Sequence, residues 1–387
     1  MKVAIIGAGI TQFGEFWERS YRDLISEAGI KAIEDAQIDG AEIQSLYVGS
    51  MTPGLFIGQE HVGALVADNA GLLGIPATRV ESACASGGLA LRQAFLAIKA
   101  GVADIVVAGG VEKMTDVSTE HATVALAGAA DQEWEAFHGV TFPALYALMA
   151  RRHMLEYGTT EEQMAQVAVK NHYNGSHNPN AQYRKPIRLE DVMKSAPIAD
   201  PLKLLDCSPI TDGAAAVILA SEDKARQLCE NPVWITGSGQ ASDTLALHDR
   251  KSLCQTEAAV KASKVAYKMA GLNPSKIDFA EVHDCFTIAE IMAIESLGFC
   301  EIGEGGKFTE DGETAITGSI PINTSGGLKA KGHPVGATGV AQAVEAVFQL
   351  RGKAGKRQVK DAKIGLTHNV GGSGASCAVH ILQKEVD

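Results

Sequence analysis

The chain opens on a run of apolar and small residues, Val3 to Ile10, interrupted only by glycine and closed by Thr11-Gln12. A short run of this kind predicts a strand buried on both faces. Val233-Trp234-Ile235-Thr236-Gly237-Ser238-Gly239 has the same shape as Val3-Ala4-Ile5-Ile6-Gly7-Ala8-Gly9. Each run precedes a segment whose apolar positions recur with helical spacing, Leu24 to Ala36 and Ala258 to Ala270. The likeness continues at an offset of 234 (270 − 36), where Ala36, Ile38, Ile43 and Val48 match Ala270, Leu272, Ile277 and Val282. Further on, Ala85-Ser86-Gly87 matches Ala337-Thr338-Gly339, and each triplet opens a predicted helix. One carries Leu91, Ala94, Phe95 and Ile98 on a face and stops at Gly101; the other carries Val340, Val344, Val347 and Phe348 and stops at Gly352. Strands follow at Ile105 to Ala108 and Ile364 to Thr367.

This order predicts two similar α/β halves, residues 1–228 and 229–387, each a parallel sheet covered by helices. An insertion of about residues 115–201 interrupts the first half. It is richer in Tyr, Asn and His, and Asn171 to Pro186 reads as an irregular loop. An excursion of that length is expected to lie over a site.

Charge and composition narrow the function. The chain has 34 basic and 46 acidic residues, a net charge of −12, which argues against a nucleic-acid or anionic-membrane binder. No stretch approaches the ~18 apolar residues of a membrane span. The apolar run after Lys2 lacks a small-residue cleavage site, and the C-terminal residues form no anchor or retention signal. Seven cysteines without a C-x-x-C pair predict reduced thiols in a cytoplasmic protein. His121, His138, His153, His172 and His177 show no metal-binding helix spacing, so no metal is expected. Gly7-Ala8-Gly9 is not a dinucleotide fingerprint, because Gln12 stands where that pattern needs glycine.

The two halves differ where chemistry is concerned. Val48-Gly49-Ser50-Met51 in the first corresponds to Val282-His283-Asp284-Cys285 in the second. Cys84 lies just before the first matched helix, where the second half has Gly336 inside Gly332-His333-Pro334-Val335-Gly336. Equivalent loops of duplicated halves meet near their pseudo-twofold axis, so Cys84, His283, Cys285 and His333 are expected to converge. Cys84 at a helix N-terminus is expected to favour its thiolate, and Gly87 and Gly88 to let a ligand approach closely. Taken singly, each of these residues is also explained as core filler or a satisfied loop histidine.

Ser82-Ala83-Cys84-Ala85-Ser86-Gly87, His283-Asp284-Cys285-Phe286, Gly332 to Gly339 and Asn369-Val370-Gly371-Gly372-Ser373-Gly374 resemble the four site blocks of the thiolase family, in order. The His-Asp-Cys-Phe block is similar to that of the sterol-carrier-protein and archaeal type, where better-known thiolases have Asn-Glu-Ala-Phe. The resemblance implies a duplicated thiolase-like fold of five αβαβα layers and acyl transfer between coenzyme A thioesters, with no further cofactor. It implies Cys84 as nucleophile, His333 as its base, and His283 with His333 as donors to a thioester oxygen. Backbone amides of Cys84 and Gly371 would hold the acyl carbonyl, and Cys285 would take the α-proton. Ser208 falls where the family's loop touches the coenzyme A arm, and Arg151, Arg152, Arg184 and Lys185 are candidate phosphate partners. The expected reaction is condensation of two acetyl-CoA to acetoacetyl-CoA, and the resemblance implies a mevalonate route for the product. The alternatives are a 3-ketoacyl-CoA thiolase for longer chains, a decarboxylating ketoacyl synthase, or a non-catalytic acyl-CoA or lipid binder. Implied partners are a second or further copies in a homodimer or homotetramer, 3-hydroxy-3-methylglutaryl-CoA synthase, and a small zinc-ribbon/OB-fold protein.

Overall fold

The computed structural model describes residues 1–386. Its strands are β1 (Val3–Ile10), β2 (Ser45–Gly49), β3 (Ala77–Val80), β4 (Ile105–Glu112), β5 (Pro197–Ala199), β6 (Leu202–Lys203), β7 (Gly213–Ser221), β8 (Val233–Ser242), β9 (Phe279–Glu281), β10 (Ile364–Gly371) and β11 (Ser376–Gln383). Nine of them form one hydrogen-bonded array in the order β3-β2-β4-β7-β1-β8-β11-β10-β9. The array is two sheets joined edge to edge. β1 and β8 share only the pairs Ala4–Trp234 and Ile5–Val233, whereas each pairs along its length with β7 or β11.

The pairing pattern repeats across that seam. β2 is parallel to β3 and β4, and β9 is parallel to β10 and to a single bridge at Ile322. β7 lies antiparallel between β4 and β1, as β11 does between β10 and β8. The sheets are therefore mixed, not parallel as the alternation of strands and helices led us to expect. β11 follows β10 after a four-residue turn, too short for the crossover that a parallel neighbour needs.

Three apolar layers sandwich the two sheets. Helices Ser86–Lys99 and Thr338–Leu350 lie between them; Leu91, Phe95 and Ile98 of one pack with Val340, Val344 and Val347 of the other. Helix Tyr21–Ala36 covers the outer face of the first sheet through Leu24, Ile25, Ala28 and Ala32. Helix Glu257–Ala270 covers the second through Ala258, Ala262 and Ala266. The result is an αβαβα sandwich.

The glycines of the twin opening strands explain how close these helices come. A methyl group on Gly7 or Gly9 would overlap the carbonyls of Ala32 or Ala28, and one on Gly237 or Gly239 those of Ala266 or Ala262. Alanine-lined helices rest directly on glycine-bearing strands in both halves, so these glycines serve packing. Gly87 and Gly88 do likewise, contrary to the expectation that they admit a ligand. Their added methyls would meet Gly336, Gly339 and Asn369, where the two central helices start against each other.

The insertion is more regular than its composition indicated. It contains helices Thr119–Ala127, Phe142–Tyr157, Glu161–Gly175 and Leu189–Met193. Asn171 to Gly175, expected in a loop, complete the third of these, which starts at a capping box of Thr160 and Gln163. The chain after Gly175 is irregular, but it is tied to the second half. Gln182 N–H donates to the Lys331 carbonyl at 3.0 Å, Tyr183 N–H to Ala330 at 2.9 Å, and Asn178 Nδ2 to Ser325 at 2.8 Å.

Candidate active site

Cys84 sits on a tight turn between β3 and helix Ser86–Lys99. Ala83 just before it takes a left-handed φ of 50°, an uncommon conformation for a residue with a side chain. The turn sends the sulfur toward the second half. There it lies with one ring nitrogen of His283 and one of His333 so that all three atoms are within 4.8 Å of one another. The imidazoles are 5.0 Å apart between centroids and nearly perpendicular. Cys84, Cys285 and His333 line one cavity of about 330 Å³, and the buried His283 stands beside Cys84 and His333. The four side chains therefore meet as the duplication predicted, His283 from the end of β9, Cys285 two residues on, and His333 from the loop before the second central helix.

The cavity wall is otherwise apolar and comes partly from the insertion, through Leu126, Phe142, Tyr146 and Ile198. Ser208 is also on the wall, and its N–H donates to the Cys285 carbonyl at 2.9 Å, strapping the 207–210 loop to the His-Asp-Cys-Phe segment. A second cavity, also about 330 Å³, lies on the other side of Cys207, Ser208 and Pro209 and is bordered by Tyr183, His172 and Lys329.

Hydrogen bonds fix both histidine tautomers. The Thr338 hydroxyl donates to the Pro334 carbonyl at 3.0 Å, so its oxygen accepts from His333 Nδ1–H at 2.7 Å. That leaves a lone pair on His333 Nε2. The Asn369 carboxamide oxygen accepts from Gly88 N–H at 3.0 Å, so Asn369 Nδ2 must be a donor. It donates to the Cys84 carbonyl at 2.9 Å and to His283 Nδ1 at 3.2 Å. His283 therefore carries its proton on Nε2, a buried donor with no protein partner. One imidazole is set up to accept a proton and the other to donate a hydrogen bond.

A thiol and two imidazoles at this spacing also form a zinc-like donor set. The tautomers do not fit that use. His283 Nδ1 is occupied by the Asn369 donor, and Nε2 holds the proton.

Burial controls the ionisation. It drives the Cys84 thiol up to about 12, against the lowering effect of N–H groups from Gly372 and Cys84 itself. Burial also lowers His333 to about 3 and His283 well below its ordinary value, the latter with help from the other imidazoles. The resting pair is thus a neutral thiol and a neutral imidazole, not the thiolate expected from the helix N-terminus. Desolvation outweighs the local amides here.

The structure adds one backbone donor and separates the cationic candidates. The Gly372 N–H, at a φ of 61°, is an amide that favours the Cys84 thiolate; Gly371, expected to help hold the acyl carbonyl, ends the β10–β11 ladder opposite Ser376 next to it. Arg151 pairs with Asp200 and Arg152 with Glu156 on the surface, and neither borders either cavity. Arg184 and Lys185 are exposed and follow Tyr183 at the edge of the second cavity.

Three residues contribute in ways the sequence reading did not assign: Glu112 was not named there, and Asp284 and Asn369 stood in its site blocks without a role. Glu112 at the end of β4 is fully buried and accepts from Met51 N–H at 2.7 Å, Ser50 Oγ at 3.0 Å and Gly336 N–H at 3.1 Å. It clamps the loops of both halves beneath Cys84. Asp284 accepts from Leu328 N–H at 2.7 Å, Lys329 N–H at 3.3 Å and Asn171 Nδ2 at 2.7 Å, tying the insertion to the turn before His333. Asn369 sets the His283 tautomer. No spacing rule marks any of them, because each acts on residues distant in sequence.

Comparison with known proteins agrees with this arrangement. A family model described as the thiolase N-terminal domain matches residues 3–223, and one described as thiolase C-terminal domain-like matches residues 239–384. The chain is 60% identical over 382 residues to an acetyl-CoA acetyltransferase of Methanothermobacter thermautotrophicus, covering 99% of each chain. It is 52% identical to an acetyl-CoA acetyltransferase of Methanocaldococcus jannaschii, again over 99% of each. Sterol carrier protein 2 of Bos taurus is 38% identical across 97% of this chain and 71% of its own. Among solved structures, an Ltp2-ChsH2(DUF35) aldolase superposes with a TM-score of 0.86 at 30% identity, covering 100% of this chain and 98% of that one. Human mitochondrial 3-ketoacyl-CoA thiolase shares the fold, with a TM-score of 0.75 at 20% identity over 100% of this chain and 99% of its own. The duplicated sandwich, the four converging blocks and the full-length matches together show that this chain belongs to the thiolase family.

Proposed function

We propose that the protein is an acetyl-CoA C-acetyltransferase that condenses two acetyl-CoA through an acyl-Cys84 intermediate. The observation that carries this reading is the approach of the Cys84 sulfur to two oppositely tautomerised imidazoles at the wall of an otherwise apolar cavity. Its full-length relatives named acetyl-CoA acetyltransferase support the same activity.

In the acylation half, His333 Nε2 takes the Cys84 proton as the sulfur attacks the thioester carbonyl. The tetrahedral oxyanion is met by the N–H groups of Cys84 and the Gly371–Gly372 turn. Its collapse expels coenzyme A thiolate, which recovers the proton from His333. In the condensation half, Cys285 passes its proton to the His333 Nε2 lone pair and, as the thiolate, takes an α-proton from a second acetyl-CoA. His283 Nε2–H donates to the enolate oxygen. His333 Nε2, now carrying the Cys285 proton, is the second donor, with its Nδ1–H held by Thr338 Oγ. Preorganised donors of this kind are worth about 3–4 kcal/mol each. The enolate carbon then attacks the acyl carbonyl, and Cys84 leaves as a thiolate that regains its proton from His333 Nε2.

Cys285 on the cavity wall favours this route over a decarboxylating synthase, which needs no α-proton base. Ser208, on the cavity wall, is the proposed contact of the pantetheine arm, and Arg184 and Lys185, next to the second cavity, are the proposed phosphate partners. We also propose a cytoplasmic homo-oligomer; among the described residues no helix is long and apolar enough to cross a membrane. The second chain named in the Ltp2-ChsH2(DUF35) structure supports a search for a partner. The small zinc-ribbon/OB-fold protein, 3-hydroxy-3-methylglutaryl-CoA synthase and a mevalonate route are proposed on the resemblance.

The test is the half-reactions of Cys285→Ala. It is expected to acetylate Cys84 from acetyl-CoA yet to form no acetoacetyl-CoA. Wild-type condensation in that variant removes Cys285 as the base.

A further inference from the structure

Tyr146 comes from the insertion, on helix Phe142–Tyr157, and no sequence motif distinguishes it. Its ring is buried and lies against Phe286, with centroids 4.6 Å apart. Its hydroxyl donates to the Gly372 carbonyl at 3.1 Å, and the N–H of that same glycine reaches the Cys84 sulfur. Tyr146 and Cys285 pack in one cluster with Phe286 and line the main cavity together, and the hydroxyl lowers the Cys285 thiol. An apolar aromatic would fill this space equally well. The hydroxyl therefore needs an explanation beyond packing.

We propose that Tyr146 is the positioning residue for Cys285: its hydroxyl turns from the Gly372 carbonyl to the Cys285 sulfur and holds that sulfur as the thiolate that takes the α-proton. The inference rests on the reading of Cys285 as the condensation base. When Cys285 accepts the proton, an S–H bond forms and the C–H pair passes to the enolate. Tyr146 keeps its own O–H bond throughout and returns it to Gly372. Only a donor that stays protonated can do this, and burial, with the charges of Cys285 and Cys84 nearby, holds the Tyr146 hydroxyl well above its ordinary value. Arg250 acts in the opposite direction on Tyr146.

The groups around Cys285 show why such a donor is needed. Burial, Cys84 and Asp284 all push its thiol up. Lys329 is the cation that also feels this sulfur, but its ammonium is committed to the Cys207 carbonyl. The groups that lower the Cys285 thiol are the Tyr146 hydroxyl and the Phe286 N–H. Of these, the hydroxyl can be removed by substitution.

Tyr146→Phe keeps the ring against Phe286 and removes the donor. Loss of a hydrogen bond to a charged partner predicts condensation slower by roughly 10- to 100-fold. Acetylation of Cys84 should fall clearly less than condensation, since the Tyr146 hydroxyl bonds the Gly372 carbonyl and neither Cys84 nor His333. A second readout does not depend on turnover. In a Cys84→Ala background, alkylation of Cys285 by iodoacetamide is followed on its own peptide between about pH 7 and pH 10. Adding Tyr146→Phe should shift the rise in rate upward by about one pH unit. An unshifted profile, unchanged condensation, or equal loss in both half-reactions overturns the inference. Condensation lost in Cys285→Ala but intact in Tyr146→Phe removes the Tyr146 role alone. Full condensation in Cys285→Ala removes the base assignment and this inference with it.

Discussion

Asn369→Asp exchanges one atom of the side chain and reverses the hydrogen-bond logic of the site. The Asn369 oxygen takes Gly88 N–H, and its nitrogen donates to the Cys84 carbonyl and to His283 Nδ1. An aspartate keeps the Gly88 bond but places an acceptor against both other groups. His283 then moves its proton to Nδ1 to satisfy the carboxylate, and its Nε2 ceases to be a donor. Removing one oxyanion donor costs about 3–4 kcal/mol, or roughly 100- to 1000-fold in kcat. The new oxygen also faces the Cys84 carbonyl, where the original contact is 2.9 Å, so the buried carboxyl is pushed toward its neutral form. A neutral carboxyl can donate again, so lowering the pH should restore part of the lost activity. The assay is steady-state condensation of acetyl-CoA across the pH range in which wild type is folded, with thermal melting as a control. A variant that folds and keeps more than about a tenth of wild-type kcat at neutral pH would refute the tautomer assignment.

Two further outcomes follow from buried charge and burial of the nucleophile. Glu112→Ala leaves Met51 N–H, Gly336 N–H and the Ser50 hydroxyl without their acceptor. At about 1–3 kcal/mol for each buried unsatisfied donor, it should cost at least about 3 kcal/mol in denaturant unfolding, and a loss below about 1 kcal/mol contradicts the clamp. Because the Cys84 thiol is pushed up to about 12, its thiolate fraction rises roughly tenfold per pH unit below that value. The alkylation rate of Cys84 in the free protein should therefore keep climbing through pH 9, and a plateau near pH 7 would mark a resting ion pair with His333 instead.

The duplicated architecture was legible because it is written in local patterns. Twin strand runs, twin helices and twin glycine stops survive in the sequence, and they placed Cys84 and His333 in equivalent loops before the structure joined them. The antiparallel placement of β7 and β11 was not legible. It depends on connection length, which hydrophobic periodicity does not report. Asn171 to Gly175 were misread for a related reason: Asn171 and Asn174 continue the buried face of Met164, Val167 and Ala168, and hydrogen bonds to Asp284, Glu290 and the Asn323 carbonyl replace the apolar contacts that periodicity looks for. At the site, motif residues were readable and their regulators were not. Glu112, Asn369 and Tyr146 act through contacts with residues distant in sequence, and although Asn369 stood in a site block, none of the three shows its partners in the sequence. The thiolate expected at Cys84 failed on burial, which a helix N-terminus in sequence cannot show. The choice between arginines likewise required the surface: Arg151 and Arg152 are held by acidic neighbours away from the cavities.

The central claim is that the Cys84 sulfur of one half, served by imidazoles of the other, forms a covalent acyl-enzyme. Intact-mass analysis after mixing with acetyl-CoA, followed by peptide mapping, tests it directly. The account predicts a gain of about 42 Da, one acetyl in place of a proton, on the peptide holding Cys84, abolished in Cys84→Ala and greatly slowed in His333→Ala. An unmodified Cys84 in a folded protein that still makes acetoacetyl-CoA, or an acetyl group carried by Cys285 instead, would contradict it.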